Sequence, residues 1–321
     1  MPIISSSYQA KSVFKNTHFA TIFSAKIRRV KGVVQKRERI TLYDGDFLDI
    51  DWSYSQTKQK NKVAVLFHGL EGNAQRPYML ALAKILNVNG YDCAAVNLRG
   101  CSGEINKNFV SYHSGATDDV ADVVDHIYKT KDYKECFLSG FSLGGNLILK
   151  YLGEERKRPT FIKSAVAVSV PVSLYGSLNR LSTSENWIYS WSFLKDLRGK
   201  YKLKMNAFID RTSEEDFKKI TSLRAFDEIY TAPANGFEDA LDYYTKSSSL
   251  RFLSNIKIPT LLLNAKNDTF LDETCYPYEI AKNNKYLFLE VPEHGGHVAF
   301  FKPGEFYYSE QRTLKFFEEN A

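Results

Sequence analysis

Gly140-Phe141-Ser142-Leu143-Gly144 is the segment with the clearest chemical potential. It stands where an apolar run read as a strand, Glu135 to Ser139, turns into a helical pattern from Leu143 to Leu152. A serine at such a junction is held in a strained backbone conformation, with its hydroxyl exposed at a helix N-terminus. The flanking glycines are needed because side chains there would clash as the helix packs on the strand. The chemistry this suits is attack on a carbonyl carbon by Ser142, with the Leu143 amide as one donor to the oxyanion that forms.

A serine hydroxyl is a poor nucleophile until a base removes its proton, so a histidine and an orienting carboxylate must follow. Asp268 lies on a short loop after the strand-like run Pro259 to Asn264. Asp272 is the alternative acid, but it stands where the next helix should begin and reads as a cap or first-turn acid. His297 ends the loop Pro292-Glu293-His294-Gly295-Gly296-His297, which follows the strand-like run Tyr286 to Val291. Paired glycines let that loop fold the imidazole back over the sheet edge, and the apolar run Val298 to Phe301 anchors it. His294 is the alternative base, while His18, His113 and His126 lack a strand-end placement and are expected to be structural. The second oxyanion donor is expected at Leu70, in His68-Gly69-Leu70-Glu71-Gly72 directly after the strand Val63 to Phe67; His68 is read as bracing that loop.

The elements that must position these residues alternate between short apolar strands and helical patterns, the signature of a mostly parallel sheet covered on both faces. Two strands, Arg39 to Leu42 and Leu48 to Ser53, flank an Asp44-Gly45 turn and suggest a hairpin. The parallel series then reads Lys62 to Phe67, Tyr91 to Asn97, Cys136 to Ser139, Ile162 to Val170, Pro259 to Asn264 and Tyr286 to Val291. The helices between them begin at Pro77, at Thr117 as N-cap and at Leu143, and a last helix runs from Glu305 to Glu318. The fold class expected is therefore α/β, an α/β-hydrolase fold in one domain over residues 1–321, with residues 171–257 as an inserted helical cap. Within that cap, Trp187, Trp191 and Leu194 recur at helical spacing beside Phe193 and Leu197. They are candidates to line an acyl pocket, with packing of the cap on the sheet as the alternative use of the stripe.

Length and composition agree: 321 residues, 44% hydrophobic and 25% charged, can bury one large core. No apolar stretch approaches the roughly eighteen residues a bilayer span needs, and the start MPIISSSYQAKSVFKN has no apolar signal region, so a soluble, cytoplasmic protein is expected. Cys93, Cys101, Cys136 and Cys275 have no metal-ligand spacing and are expected to be reduced and mostly buried; neither a metal nor a cofactor is implied. The net charge of +6 is concentrated between Lys26 and Arg39, which carry seven Lys/Arg against the single acid Glu38. That segment reads as a solvated basic face, compatible with peripheral contact at an anionic membrane; no nucleic-acid motif accompanies it and no nucleic-acid partner is expected.

With these motifs in hand the chain resembles a known group. Asn97-Leu98-Arg99-Gly100-Cys101-Ser102-Gly103, Tyr112-His113-Ser114-Gly115-Ala116-Thr117-Asp118, the elbow extended to Gly145-Asn146, and His294-Gly295-Gly296-His297-Val298 are similar to the YheT-type α/β-hydrolases. That group also holds the eukaryotic ABHD1/ABHD3-like and plant embryogenesis-associated hydrolases. The similarity runs from Phe14-Lys15-Asn16-Thr17-His18 to the carboxyl end. It implies a Ser142–Asp268–His297 triad and esterase or acylglycerol/phospholipid lipase activity without a cofactor, on a small-molecule or lipid ester. Asn267 and Thr269 depart from the aspartate and proline that members often carry around the triad acid. An acyltransferase or thioesterase using the same triad, and a non-catalytic binding module on the same fold, are the alternative functions.

Overall fold

The computed structural model describes residues 2–57 and 61–321. Nine strands form one sheet: β1 Ile3–Ile4, β2 Lys36–Thr41, β3 Phe47–Ser53, β4 Lys62–Phe67, β5 Tyr91–Asn97, β6 Glu135–Phe141, β7 Ile162–Val168, β8 Thr260–Leu263 and β9 Leu287–Glu290. Their spatial order is β1-β9-β8-β7-β6-β4-β5-β3-β2. From β1 to β5 every neighbouring pair is parallel, and β3 and β2 close one edge as the expected antiparallel hairpin. The helices are α1 Thr17–Ile22, α2 Pro77–Val88, α3 Thr117–Thr130, α4 Leu143–Gly153, α5 Leu174–Leu181, α6 Trp187–Ala207, α7 Glu214–Lys219, α8 Leu223–Phe226, α9 Ala232–Ala234, α10 Ala240–Ser247, α11 Tyr278–Asn283 and α12 Tyr308–Glu319.

Alternation along the central strands sorts side chains to two buried faces. Val63, Val65 and Phe67 of β4, with Cys136 and Leu138 of β6, pack under α3, α4 and α11. Ala64, Leu66 and Phe137 point the other way, under α2 and α12. Both faces being covered is why these strands are continuous apolar runs. The chain goes from β4 through α2 to β5 on one side, then returns to β6 on the other side of β4. This reversal opens a crevice between the carboxyl ends of β4 and β6, where ligands of open α/β sheets bind.

Local departures have physical causes. Thr117 is the first residue of α3, not its cap; its hydroxyl donates to Glu154 Oε1 at 3.0 Å instead of capping the helix. The last helix begins at Tyr308 instead of Glu305, because Glu310 turns back to accept the Tyr307 amide at 2.6 Å. β1, only two residues long, escaped the periodicity because two residues carry none; it pairs with β9 and forms the sheet edge. The segment between β7 and β8 holds α5 to α10 and builds a third apolar cluster, in which Leu178, Leu197, Phe226 and Tyr244 pack together with Phe109. All four cysteines are buried and free. Among the described residues no helix is long and apolar enough to cross a membrane.

Three of the seven basic residues of the run are paired in place: Arg28 with Glu310, Arg37 with Asp51, and Arg39 with Asp49 and Glu104. A deeper ionic knot holds the loop after β5. Arg99 is buried and bidentate to Asp119 of α3 (2.8 and 2.7 Å), and also reaches Asp44 at 2.7 Å in the β2–β3 turn. Arg99→Met removes the cation and strands buried carboxylates, so it should cost about 3–5 kcal/mol in urea unfolding. A loss under about 1 kcal/mol would mean that the knot is hydrated and dispensable.

Candidate active site

The elbow is built from contact distances. Ser142 leaves β6 at φ +54° and ψ −120°, a conformation that costs a non-glycine residue roughly 1–3 kcal/mol, and opens α4. Its amide donates to the Val168 carbonyl at 2.8 Å, which ties the strained residue to β7. A Cβ on Gly144 would lie 2.4 Å from the Phe67 carbonyl oxygen, and one on Gly140 would lie 2.3 Å from the Gly144 carbonyl oxygen. Both positions demand glycine for space, which lets α4 start against the end of β4.

Three loops converge on the serine hydroxyl. Ser142 Oγ lies 3.0 Å from His297 Nε2, and His297 Nδ1 lies 2.8 Å from Asp268 Oδ2. With Nδ1–H donating to the carboxylate, Nε2 is left to accept from the hydroxyl. Asp268 is buried, and its other oxygen accepts the Phe270 amide at 3.0 Å. The Phe270 ring stacks on the imidazole, centroids 4.2 Å apart. Asp272 turns away and caps a short 3₁₀ turn through the Thr274 amide. The third loop, after β4, is Gly69-Leu70. A Cβ on Gly69 would come within 3.1 Å of Ser142 Cβ, and Leu70 and Leu143 both line the cavity that holds Ser142. As the first residue of α4, Leu143 has an amide with no intrahelical partner.

His68 fixes this loop from below. Its Nδ1–H donates to the Gly69 carbonyl at 2.8 Å, and Nε2 accepts the Leu98 amide at 3.1 Å. Burial pushes its pKa down to about 3, against the raising effect of the Gly69 bond, so it stays neutral. Glu71, at φ +52°, is held by the Tyr112 hydroxyl (2.6 Å) and by Lys200 of α6 (2.9 Å).

Several positioning residues carried no sequence signal. The His297 amide donates to Thr21 Oγ1 of α1 at 3.0 Å, and the Val298 amide to Ser169 Oγ at 2.9 Å. The two residues that depart from the family pattern have partners here. Asn267 accepts the Gly296 amide and donates to the Lys15 carbonyl, the second of which an aspartate cannot do. Thr269 donates its hydroxyl to Asn186 at the start of α6. Partners 29 to 276 residues apart in the chain leave no local pattern to read.

Two cavities meet at Ser142 and His297. An inner limb of about 130 Å³ is walled by Leu174, Leu178, Leu197, Leu223 and Phe226, with Asp227, Tyr230 and Tyr244 also on its wall. An outer limb of about 430 Å³ runs between α1 and α6, past Ile22, Lys26, Ile188 and Trp191. The expectation for Trp187 needs correction: it is 64% exposed and lines neither limb. Trp191, 58% exposed, sits on the rim of the outer limb. On a helix of 3.6 residues per turn the Trp187, Trp191 and Leu194 stripe lies about 100° around from Phe193 and Leu197, and it is the latter face that meets the inner limb.

With this geometry in view, the comparisons with known proteins fall into line. The family model described as alpha/beta hydrolase fold matches residues 63–303. YheT of Escherichia coli (strain K12), an esterase by name, is 31% identical over 89% of this chain and 85% of its own length. The chain belongs to the α/β-hydrolase family. Its resemblance to the YheT-type group holds. Other relatives of this α/β-hydrolase are the mouse phospholipase ABHD3, 27% identical over 94% of this chain and 75% of the relative, and the monoacylglycerol lipase of Saccharomyces cerevisiae, 30% identical over 79% and 59%. A solved Pyrococcus furiosus esterase superposes with a TM-score of 0.61 at 20% identity, covering 91% of this chain and 97% of that one, a likeness of fold.

His68, which is buried, and His113, which is half-buried, should make this α/β-hydrolase acid-sensitive. Like His68, His113 is pushed down to about 3, first by burial and then by the charges of Lys150 and Arg99. Unfolding lets both take up protons below their ordinary pKa near 6.5, so stability is lost as pH falls through 6.5, by up to ~1.4 kcal/mol per pH unit for each histidine. Asp227, raised to about 6 by burial, binds its proton first in the folded state and returns about half of that loss below pH 6. Urea midpoints should therefore drop between about pH 7 and pH 5, with His113→Gln removing one histidine's share of the slope. A flat profile would show that neither imidazole is buried neutral.

Proposed function

We propose that the protein is a serine carboxylic ester hydrolase with Ser142 as nucleophile, His297 as general base and Asp268 as the acid that orients it. The observation that carries this reading is the continuous chain from Asp268 Oδ2 through His297 to Ser142 Oγ, at 2.8 and 3.0 Å, on the strained elbow. Relatives named as esterase, monoacylglycerol lipase and phospholipase support the same reaction class.

Ser142 Oγ attacks the ester carbonyl as His297 Nε2 takes its proton. The oxyanion is received by the Leu70 and Leu143 amides, and the alcohol leaves with the proton from His297. Water, deprotonated by the same imidazole, then attacks the acyl-enzyme and restores the serine. Asp268 keeps Nδ1 protonated and stabilises the imidazolium in both halves.

The segment over residues 171–257 acts in this reading as a cap that roofs the site. An inner limb of about 130 Å³ is smaller than the ~300–1,000 Å³ typical of drug-sized sites. It suits a short- to medium-chain acyl group, while the larger outer limb takes the alcohol, including that of an acylglycerol or phospholipid. A panel of p-nitrophenyl esters from acetate to palmitate tests this. Wild type should peak at short to medium length, Ser142→Ala should lose about 10⁶-fold in kcat, and Asp268→Asn about 10⁴-fold. Unreactive Ser142 toward a fluorophosphonate, with the fold intact, would overturn the assignment.

A further inference from the structure

The rim of the outer limb presents large apolar side chains to water. Phe19 (41% exposed) and Ile22 (39%) on α1 stand beside Trp187 (64%), Ile188 (44%) and Trp191 (58%) in the first turns of α6. The two helices are held together there: His18 Nδ1 and the Tyr189 hydroxyl are 3.0 Å apart and their rings stack. Ile22, Ile188 and Trp191 line the same cavity as Ser142 and His297. Three apolar side chains presented to water on the wall of one cavity, with Phe19 and Trp187 exposed on the same two helices, mark a surface built to be covered.

The charge around that rim says by what. Lys15, Lys26 and Lys195 are exposed, and among the described residues none of them is in an ion pair; Lys195 Nζ lies 5.5 Å from the Trp191 ring. Glu185, the nearby acid, is engaged by Arg180 and His18, and Glu71 on the cavity wall is paired with Lys200, which leaves Asp196 as the opposing charge there. An indole ring with a lysine head lying over it, at Trp191 and Lys195, suits the boundary between acyl chains and anionic headgroups.

We propose that the α1–α6 rim docks the protein on an anionic lipid bilayer, so that esters of amphiphiles pass from the leaflet into the outer limb. The docking stands on the rim alone; the passage of substrate rests on the esterase reading above.

The chain has three tryptophans, and the third, Trp52, is buried at 1% exposure. A blue shift of tryptophan emission on adding vesicles therefore reports on Trp187 and Trp191. With vesicles of phosphatidylcholine containing about 30% phosphatidylserine, the protein should co-sediment and its emission shift blue, and both effects should weaken at high salt. Phe19→Ser combined with Trp187→Ser, neither of which lines a cavity, should weaken vesicle binding at least about tenfold while leaving kcat/KM on a soluble p-nitrophenyl ester unchanged. Lys15→Glu with Lys195→Glu, surface changes that leave the core intact, should weaken binding to the anionic vesicles to a similar degree. Absence of any shift or sedimentation overturns the proposal, and so does equal binding to pure phosphatidylcholine. A dimer in sedimentation equilibrium that Trp187→Ser dissociates also overturns it, because the rim would then be covered by a second copy. Ser142→Ala should dock as wild type does. Docking without turnover of any ester would sink the esterase reading and leave the docking proposal standing.

Discussion

The approach of α4 to the end of β4 is the constraint on which the candidate site depends. Gly144 lies so close to the Phe67 carbonyl that no side chain fits between them, and Gly140 is pressed against the Gly144 carbonyl in the same way. This contact brings the first turn of the helix beside the loop that follows β4. In the proposed mechanism it is this spacing that lets the Leu143 and Leu70 amides serve one oxyanion near Ser142. The roughly 1–3 kcal/mol that Ser142 costs in its positive-φ conformation is offset by the bonds around it, among them its own amide to Val168 and the first helical bond from Asn146. A helix set one or two ångströms further out would relax the serine and separate the donors.

The imidazole is held by a different logic, from outside the sheet. The loop bearing His297 has backbone bonds to Thr21 and Ser169 and a bond from Gly296 to Asn267, whose own amide reaches the Lys15 carbonyl. Phe14 stacks face to face on Phe301, just past that loop, at 3.5 Å. The amino-terminal segment thus forms one wall of the histidine's seat and, through α1, one side of the outer limb. This accounts for a family resemblance that begins as early as Phe14. The segment is far from the elbow in sequence and next to it in space.

What was legible in the chain follows from which forces are local. Buried parallel strands must be apolar throughout and the elbow must carry glycines, so the central strands from Lys62 onward and the Ser142 junction read directly from residue type. The order of acid and base after the last strands placed Asp268 and His297 where the geometry has them. The supports of those residues were not legible, because Thr21, Ser169 and Asn186 act through one or two hydrogen bonds each across the fold. The stripe on α6 misled for another reason. Large aromatic residues at helical spacing look like a buried face, yet Trp187 faces water and Trp191 sits on the rim of the outer limb, while less conspicuous Phe193 and Leu197 meet the inner one. Periodicity gives the face of a helix but not which face its neighbours cover.

One tie joins α6 to the loop beside the candidate site. Lys200 of α6 reaches down to the Glu71 carboxylate, which also accepts the Tyr112 hydroxyl, while Arg76 holds the Glu71 carbonyl. Glu71 adjoins Leu70, the proposed oxyanion donor, and is itself buried at positive φ. A buried carboxylate that loses its cation costs on the order of 3–5 kcal/mol, far more than a surface pair would. Lifting α6 away from the sheet would impose that cost and free the backbone beside the donor at the same time. The state in which the inner limb is closed is therefore also the state in which the Leu70 loop is held in place, so that in the proposed mechanism an ester reaches a formed oxyanion site only under seated inserted helices.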